Sequence, residues 1–161
     1  MKTNYLFLSL AIAAFLSSSM PLGSHSLQIG EEAPLLTLSS STKATSLDAL
    51  KGKYVVLNFW KASDPESRLA NKRLADLTST LPSSQIQFVS VCTDNDPTLQ
   101  AEIMVCDGVA NLPYSLSALD FTPEVLDDYQ TATGCRSFLI DPFGNLKAVS
   151  PSDAEITKVI V

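Results

Sequence analysis

The sequence has little histidine and few cysteines, which limits the chemistry that it can perform. Its single histidine, His25, lies where we expect an export signal to be removed. A mature chain without histidine cannot use Ser-His-Asp or Cys-His catalysis, and it lacks the commonest metal ligand. The three cysteines, Cys92, Cys106 and Cys135, contain no Cys-x-x-Cys spacing, so neither a zinc ribbon nor a dithiol site is available. We therefore predict that the protein uses no metal or other cofactor.

Positive charge is also scarce. The chain has 11 lysine and arginine residues against 17 aspartate and glutamate residues, which gives a formal net charge of −6 at pH 7. No cluster of basic residues occurs anywhere along the sequence. Because nucleic-acid binding needs a concentrated positive surface, we exclude nucleic acid as a partner.

The chain is predicted to begin with an export signal. Lys2 precedes an apolar run over residues 6–16 and then small polar residues, which is the order found in secretory signal peptides. That run is shorter than the about 20 residues that span a bilayer, and no later segment is apolar enough to cross one. We assign residues 1–26 to the signal and 27–161 to one domain; cleavage after Ser19 and an uncleaved N-terminal anchor are the alternatives. The mature protein is expected in the periplasm or outside the cell, without a membrane segment.

One apolar stretch organises the rest of the sequence. The run Tyr54–Trp60 contains β-branched and aromatic residues, which predicts a buried central strand. A helix start follows it: Asp64 can cap, Pro65 suits the first helical position, and Ser63 with Glu66 has the spacing of a capping box. A helix N-terminus offers unpaired N–H groups and a positive dipole end, so this site favours an anion or a thiolate.

Further strands and helices alternate along the chain. In the helix after the central strand we expect Leu69 and Leu74 to face inward, and Cys106 is expected to pack inward from the next helix. The alternation predicts an α/β fold with a mixed central sheet flanked by helices. The predicted elements are a helix over 68–81, a strand over 86–92, helices over 97–105 and 123–129, a hairpin turn over 142–145, its returning strand over 146–149, and a last helix capped by Ser152 or Asp153.

The segment Val55–Arg68 resembles the active-site segment of the thioredoxin-like family, in particular the exported thiol–disulfide oxidoreductases of the TlpA-like branch. In that branch a strand ending in Phe-Trp leads to Trp-Cys-x-x-Cys-Arg at a helix start. Asp64 stands at the first cysteine position and Ser67 at the second. The resemblance implies a thioredoxin-like three-layer sandwich whose dithiol has been replaced.

A second part of the resemblance covers Gly134–Leu146, which is similar to the family segment Gly-x-Pro-Thr-x-Phe-Leu-Ile-Asp. Cys135 stands at the position of the family's cis-proline, and a shift of one residue would place Arg136 there instead. A cis bond without proline costs about 2.5–4 kcal/mol, so we predict a trans peptide. Cys92 and Cys135 would flank the central strand about 9–10 Å apart, and we predict no disulfide within the chain.

Two functions follow from this resemblance. The favoured one is a non-enzymatic protein of the cell envelope that binds a polypeptide or another envelope protein. Its groove would involve the following residues: Trp60, Asp64, Pro65, Ser67, Cys135 and Arg136. The alternative is a thiol–disulfide oxidoreductase that acts through Cys135 alone in cell redox homeostasis, with Arg136 favouring the thiolate. For Asp64 and Cys135 the plain structural roles, a helix cap and a small buried side chain, also remain open.

Overall fold

The computed structural model describes residues 27–39, 44–129, 134 and 136–160. The predicted signal over residues 1–26 and the peptide bond and side chain of Cys135 lie outside the described residues, so these expectations remain predictions. The strands are β1 (Thr37–Ser39), β2 (Ala44–Ser46), β3 (Tyr54–Trp60), β4 (Ile86–Cys92), β5 (Ser115–Ser117), β6 (Ser137–Ile140) and β7 (Leu146–Val149). The helices are α1 (Pro65–Ser79), α2 (Pro97–Cys106), α3 (Pro123–Asp128) and α4 (Asp153–Lys158), with short 3-10 helices at Leu47–Leu50 and Ala118–Asp120.

The main sheet has five strands in the order β5-β4-β3-β6-β7, so β3 lies at its centre as predicted. It pairs in parallel with β4 and antiparallel with β6, which confirms the mixed sheet. The ends of β3, β4 and β5 and the start of β6 therefore meet at one edge of the sheet, which we call the upper edge. The chain segments that follow Trp60, Cys92 and Ser117 all leave the sheet at this edge.

Alternate residues of β3 supply two separate cores, because successive side chains of a strand point to opposite faces. Val56 and Trp60 pack towards α1, α2 and α4. On the other face, Phe59 lies 5.2 Å from Tyr129 and 6.1 Å from Phe138 between ring centroids. The Tyr129 hydroxyl donates to the carbonyl of Pro34 at 2.7 Å, and burial raises the pKa of that hydroxyl. Helices thus cover both faces of the sheet.

The predicted helix starts are confirmed where a capping residue precedes proline. Asp96 accepts hydrogen bonds from the N–H groups of Thr98 and Leu99 at the start of α2, and Thr122 precedes Pro123 of α3. Of the two predicted caps of α4, Ser152 and Asp153, the actual cap is Ser152, which forms a reciprocal capping box with Glu155.

Two inward orientations and one helix range are wrong. Leu69 is 69% exposed, whereas Leu74, on the buried side of the same helix, is 1% exposed. Cys106 is also exposed, because it lies in the last turn of α2 on the side away from the sheet. The helix α1 begins at Pro65, the residue predicted for the first helical position, but it ends at Ser79 rather than at Leu81, since the chain already tightens into turns at Thr80 and Leu81.

None of the helices in the described residues is both long enough and apolar enough to cross a membrane.

Candidate functional site

The start of α1 at the upper edge is capped by Asp64. Its carboxylate accepts a hydrogen bond from the backbone N–H of Glu66 at 3.1 Å, and Pro65 occupies the first helical position. Asp64 therefore places a negative charge at the positive end of the helix dipole, where it is stabilised. Both predicted roles of these residues as cap and first helical residue are confirmed.

Ser63 does not form the predicted capping box with Glu66. Its backbone N–H and its hydroxyl donate to the two carboxylate oxygens of Asp94, each at 2.9 Å. Asp94 follows β4, so this pair of hydrogen bonds ties the segment after β3 to the segment after β4. These hydrogen bonds hold the turn before α1 against the segment that follows β4.

Ser67, at the second cysteine position of the resemblance, is 6% exposed. Its hydroxyl oxygen accepts a hydrogen bond from the backbone N–H of Lys61 at 2.9 Å. That N–H belongs to the first residue after β3, where the ladder has ended and the donor needs another acceptor. Ser67 thus joins the first turn of α1 to the end of the central strand.

The other predicted groove residues are placed differently. Trp60 is 1% exposed and lies in the core beneath α1, with its indole N–H buried and without a hydrogen-bond partner among the described residues. Pro65 is exposed on the side of α1 that carries Leu69. Arg136 is half-buried, and its carbonyl accepts a hydrogen bond from the N–H of Phe59 at 2.9 Å.

A groove of about 390 Å³, the first groove, opens beside the start of α1. Gly134 and Ser137, which lie one residue before and two residues after Cys135 in the sequence, form part of its wall. Ser150 closes one end in a left-handed backbone conformation with φ of 50°, held by a hydrogen bond from its N–H to the carbonyl of Ser137 at 2.7 Å. The polar and charged residues that line the groove are Asn58, Lys61, Asp64, Glu66, Ser67, Arg73, Ser137 and Ser150.

A buried polar network underlies this groove, and the sequence interpretation missed it. The Asn71 side-chain oxygen accepts hydrogen bonds from the amide of Asn58 at 2.9 Å and from the hydroxyl of Ser90 at 3.0 Å. Asn58 and Ser90 lie opposite each other on β3 and β4. Each is a single polar residue in an otherwise apolar stretch of strand that faces α1, which is the signal that could have revealed the network.

An ion pair anchors the first turn of α1 to the end of α2. The Arg68 guanidinium donates to both oxygens of Asp107, at 3.0 Å from Nε and 2.6 Å from Nη2. Their side chains are 29% and 17% exposed, so solvent screens this pair less than a surface pair. The hydrogen bonds from Arg68 hold the pKa of Asp107 below its usual range.

This ion pair gives the stability a dependence on pH. A carboxyl whose pKa is lowered on folding contributes its full stability above its unfolded pKa of about 4 and loses it as the pH falls through the folded pKa. We expect Asp107→Asn to lower the free energy of unfolding at pH 7, and the difference from the wild type to shrink as the pH falls below about 4. Urea titrations across this range measure it.

The matched control is Asp76→Asn, which removes the more exposed pair between Lys72 and Asp76 on α1. Its effect is expected to be smaller, because exposed pairs contribute little. If the free energy of unfolding of Asp107→Asn differs from that of the wild type by the same amount from neutral to acid pH, the ion pair is not the source of the pH dependence.

The acidic residues after β4 accept hydrogen bonds from nearby backbone and side-chain groups. Asp94 accepts from Ser63 and Asp96 caps α2. Within the described residues no group of three or more histidine, cysteine, aspartate and glutamate side chains is arranged to hold a metal ion.

Comparison with known proteins identifies the family. The sequence profile of the AhpC/TSA family matches residues 29–149. The thiol-disulfide oxidoreductase ResA of Bacillus subtilis is 30% identical over 128 residues, covering 79% of this chain and 69% of ResA.

Solved structures share the fold. The thioredoxin domain of a thiol-disulfide oxidoreductase from Bacteroides vulgatus superposes with a TM-score of 0.72 at 24% identity, covering 84% of this chain and 100% of that one. A thioredoxin-like protein from Parabacteroides distasonis gives a TM-score of 0.70 at 26% identity, covering 84% and 96%. The predicted thioredoxin-like sandwich is confirmed, and the chain belongs to the AhpC/TSA family, among the thioredoxin-like relatives of the thiol–disulfide oxidoreductases.

Proposed function

We propose that this protein is exported, binds a polypeptide of the cell envelope in the first groove, and does not exchange disulfides. The observation that carries the proposal is the carboxylate of Asp64 at the start of α1, where it caps the helix. The resemblance aligns this position with the attacking cysteine of the family. The groove beside it, with both charged and neutral polar groups on its wall, supports binding of a polypeptide.

The chemistry of the two aligned side chains supports the absence of dithiol exchange. Exchange needs a thiolate that attacks a disulfide and a second sulfur that resolves the mixed disulfide. A carboxylate such as that of Asp64 does not supply sulfur. The Ser67 hydroxyl, which accepts the Lys61 N–H, is not ionised at neutral pH.

The first test measures catalysis. We expect the purified protein to reduce neither insulin nor glutathione disulfide above the uncatalysed rate, and Cys135→Ser to behave identically. Turnover that disappears in Cys135→Ser would overturn the proposal in favour of the enzyme acting through that single cysteine. Turnover that persists in Cys135→Ser would contradict both functions.

The second test measures binding. A fluorescently labelled polypeptide that has been reduced and carbamidomethylated, so that it stays unfolded without gaining charge, is expected to bind the wild type, and Ala70→Trp is expected to abolish this binding by filling the first groove. Leu69→Trp is the matched control, because Leu69 lies on the same helix but is 69% exposed away from the groove. Equal binding by the wild type and Ala70→Trp, or no binding by the wild type, would overturn the proposed site.

A further inference from the structure

A second groove of about 480 Å³ lies at the upper edge and shares the lining residue Lys61 with the first groove. It is formed where the segments after β3, β4 and β5 approach α3. Its apolar wall is formed by Leu119, Phe121, Pro123 and Leu126, and its polar wall includes Thr93 and Asp127.

The apolar wall of the second groove is built on fixed backbone. The N–H of Phe121 donates to the carbonyl of Ala118 at 3.2 Å, and the N–H of Leu126 donates to that of Thr122 at 3.3 Å. Phe121 and Leu126 also pack against the aromatic core, while Leu119 is 55% exposed. The wall therefore presents apolar surface in a defined position, which suits one apolar side chain of a ligand.

The two grooves are neighbours, because Lys61 lines both of them. Lys61 is exposed immediately after the central strand. An extended chain that passes over Lys61 would lie beside both grooves. A compact small molecule would occupy only one of them.

The charges along this path are mostly negative. Asp64 and Glu66 line the first groove and Asp127 lines the second, while Asp120 and Glu124 are exposed on the elements that form the second groove. The basic residues are Lys61, which lines both grooves, and Arg73 of the first groove, which is already paired with Asp153. Since complementary charge selects a partner, these carboxylates favour lysine or arginine side chains in the ligand.

We infer that the ligand of the first and second grooves is an extended, basic polypeptide segment. It places one apolar side chain in the second groove and lysine or arginine side chains next to the carboxylates that line the two grooves. This inference rests on the proposed polypeptide-binding function. It assigns the partner a chemistry: a strongly acidic segment is rejected, and a segment without an apolar side chain binds weakly.

The test uses the full-length protein and three short, blocked, fluorescently labelled peptides. The first has a leucine flanked by lysines, the second has glutamates in place of the lysines, and the third has serine in place of the leucine. We expect the first peptide to bind at least about tenfold more tightly than either of the others, and added salt to weaken its binding.

Two variants locate the ligand's groups. Asp127→Lys is expected to weaken binding of the first peptide, and Leu119→Ser is expected to reduce the advantage of leucine over serine. Glu102→Lys, an equal charge change on the exposed side of α2, is the control and should leave binding unchanged. Folding of each variant is checked by circular dichroism.

The outcomes separate this inference from the proposed function. If the three peptides bind equally, and Ala70→Trp abolishes their binding, the basic and apolar selectivity is overturned while the first groove remains a polypeptide site. If Asp127→Lys and Leu119→Ser both bind as the wild type does, the second groove is overturned. If no peptide binds the wild type while the unfolded polypeptide does, the inference fails and the proposed function stands; if neither binds, both fail.

Discussion

Replacing Asp64 and Ser67 together with cysteine is expected to create an insulin reductase from this protein. The double variant restores two sulfurs at the start of α1, with the first at the helix cap and the second at a position that is 6% exposed beside the N–H of Lys61. A helix N-terminus stabilises a thiolate, and a resolving sulfur completes the exchange.

The expected gain follows from the thiolate fraction. An ordinary cysteine with a pKa of about 8.5 is about 3% ionised at pH 7, whereas a pKa lowered below about 7 makes more than about half of it thiolate, so the thiolate fraction rises about fifteenfold or more. The new cysteine at position 64 should therefore react with iodoacetamide severalfold faster at pH 7 than free cysteine does, since the larger thiolate fraction outweighs the lower nucleophilicity of each thiolate. Loss of the Asp64 cap is expected to lower the free energy of unfolding by about 0.5–2 kcal/mol, which the fold tolerates.

The single variants Asp64→Cys and Ser67→Cys are the controls, because one sulfur alone cannot both attack and resolve. The rates are measured by turbidity of precipitating insulin chains in the presence of dithiothreitol. A double variant that reduces insulin no faster than the singles would show that the helix start no longer poises a thiol. The fault would then lie in the geometry at this edge rather than in the missing sulfur.

The second large effect is expected from Asn71→Leu. This change removes the acceptor shared by the Asn58 amide and the Ser90 hydroxyl, all of them buried between α1 and the sheet. Each buried polar group left without a partner costs about 1–3 kcal/mol, so we expect the free energy of unfolding to fall by about 2–5 kcal/mol. Urea denaturation followed by circular dichroism measures the change.

The control is the triple variant Asn58→Val, Asn71→Leu, Ser90→Ala, which removes the whole network. Replacing all partners with apolar groups of similar shape is close to neutral, so the triple variant should recover most of the lost stability. Wild-type stability in Asn71→Leu alone, or a triple variant as unstable as the single one, would show that these hydrogen bonds do not hold α1 to the sheet.

Local sequence signals were sufficient for the centre of the fold. The strands Tyr54–Trp60 and Ile86–Cys92 have the predicted bounds, because a continuous apolar run with β-branched residues suits a strand that is covered on both faces. A capping residue before proline likewise located the start of α2, since both residue types satisfy requirements of the helix terminus itself.

Contacts between distant segments could not be predicted in the same way. Ser63 has a suitable spacing to Glu66, but its actual partner Asp94 is 31 residues away and becomes available only when β3 and β4 lie side by side. Leu69 is predicted on the same face of α1 as Leu74, but it lies five residues before Leu74, which is not a helical spacing, and so it faces solvent when Leu74 faces the sheet. The second groove depends on where β5 and α3 come to lie, and its residues carry no recognisable motif.

The burial of Trp60 has a practical consequence. It is the sole tryptophan of the chain, and its ring sits sealed under α1, next to the site but shielded from whatever occupies the grooves. The native protein thus contains an intrinsic fluorophore whose emission colour reports entry of water under that helix. Loosening of the scaffold can be distinguished optically from ligand capture, without attaching a dye.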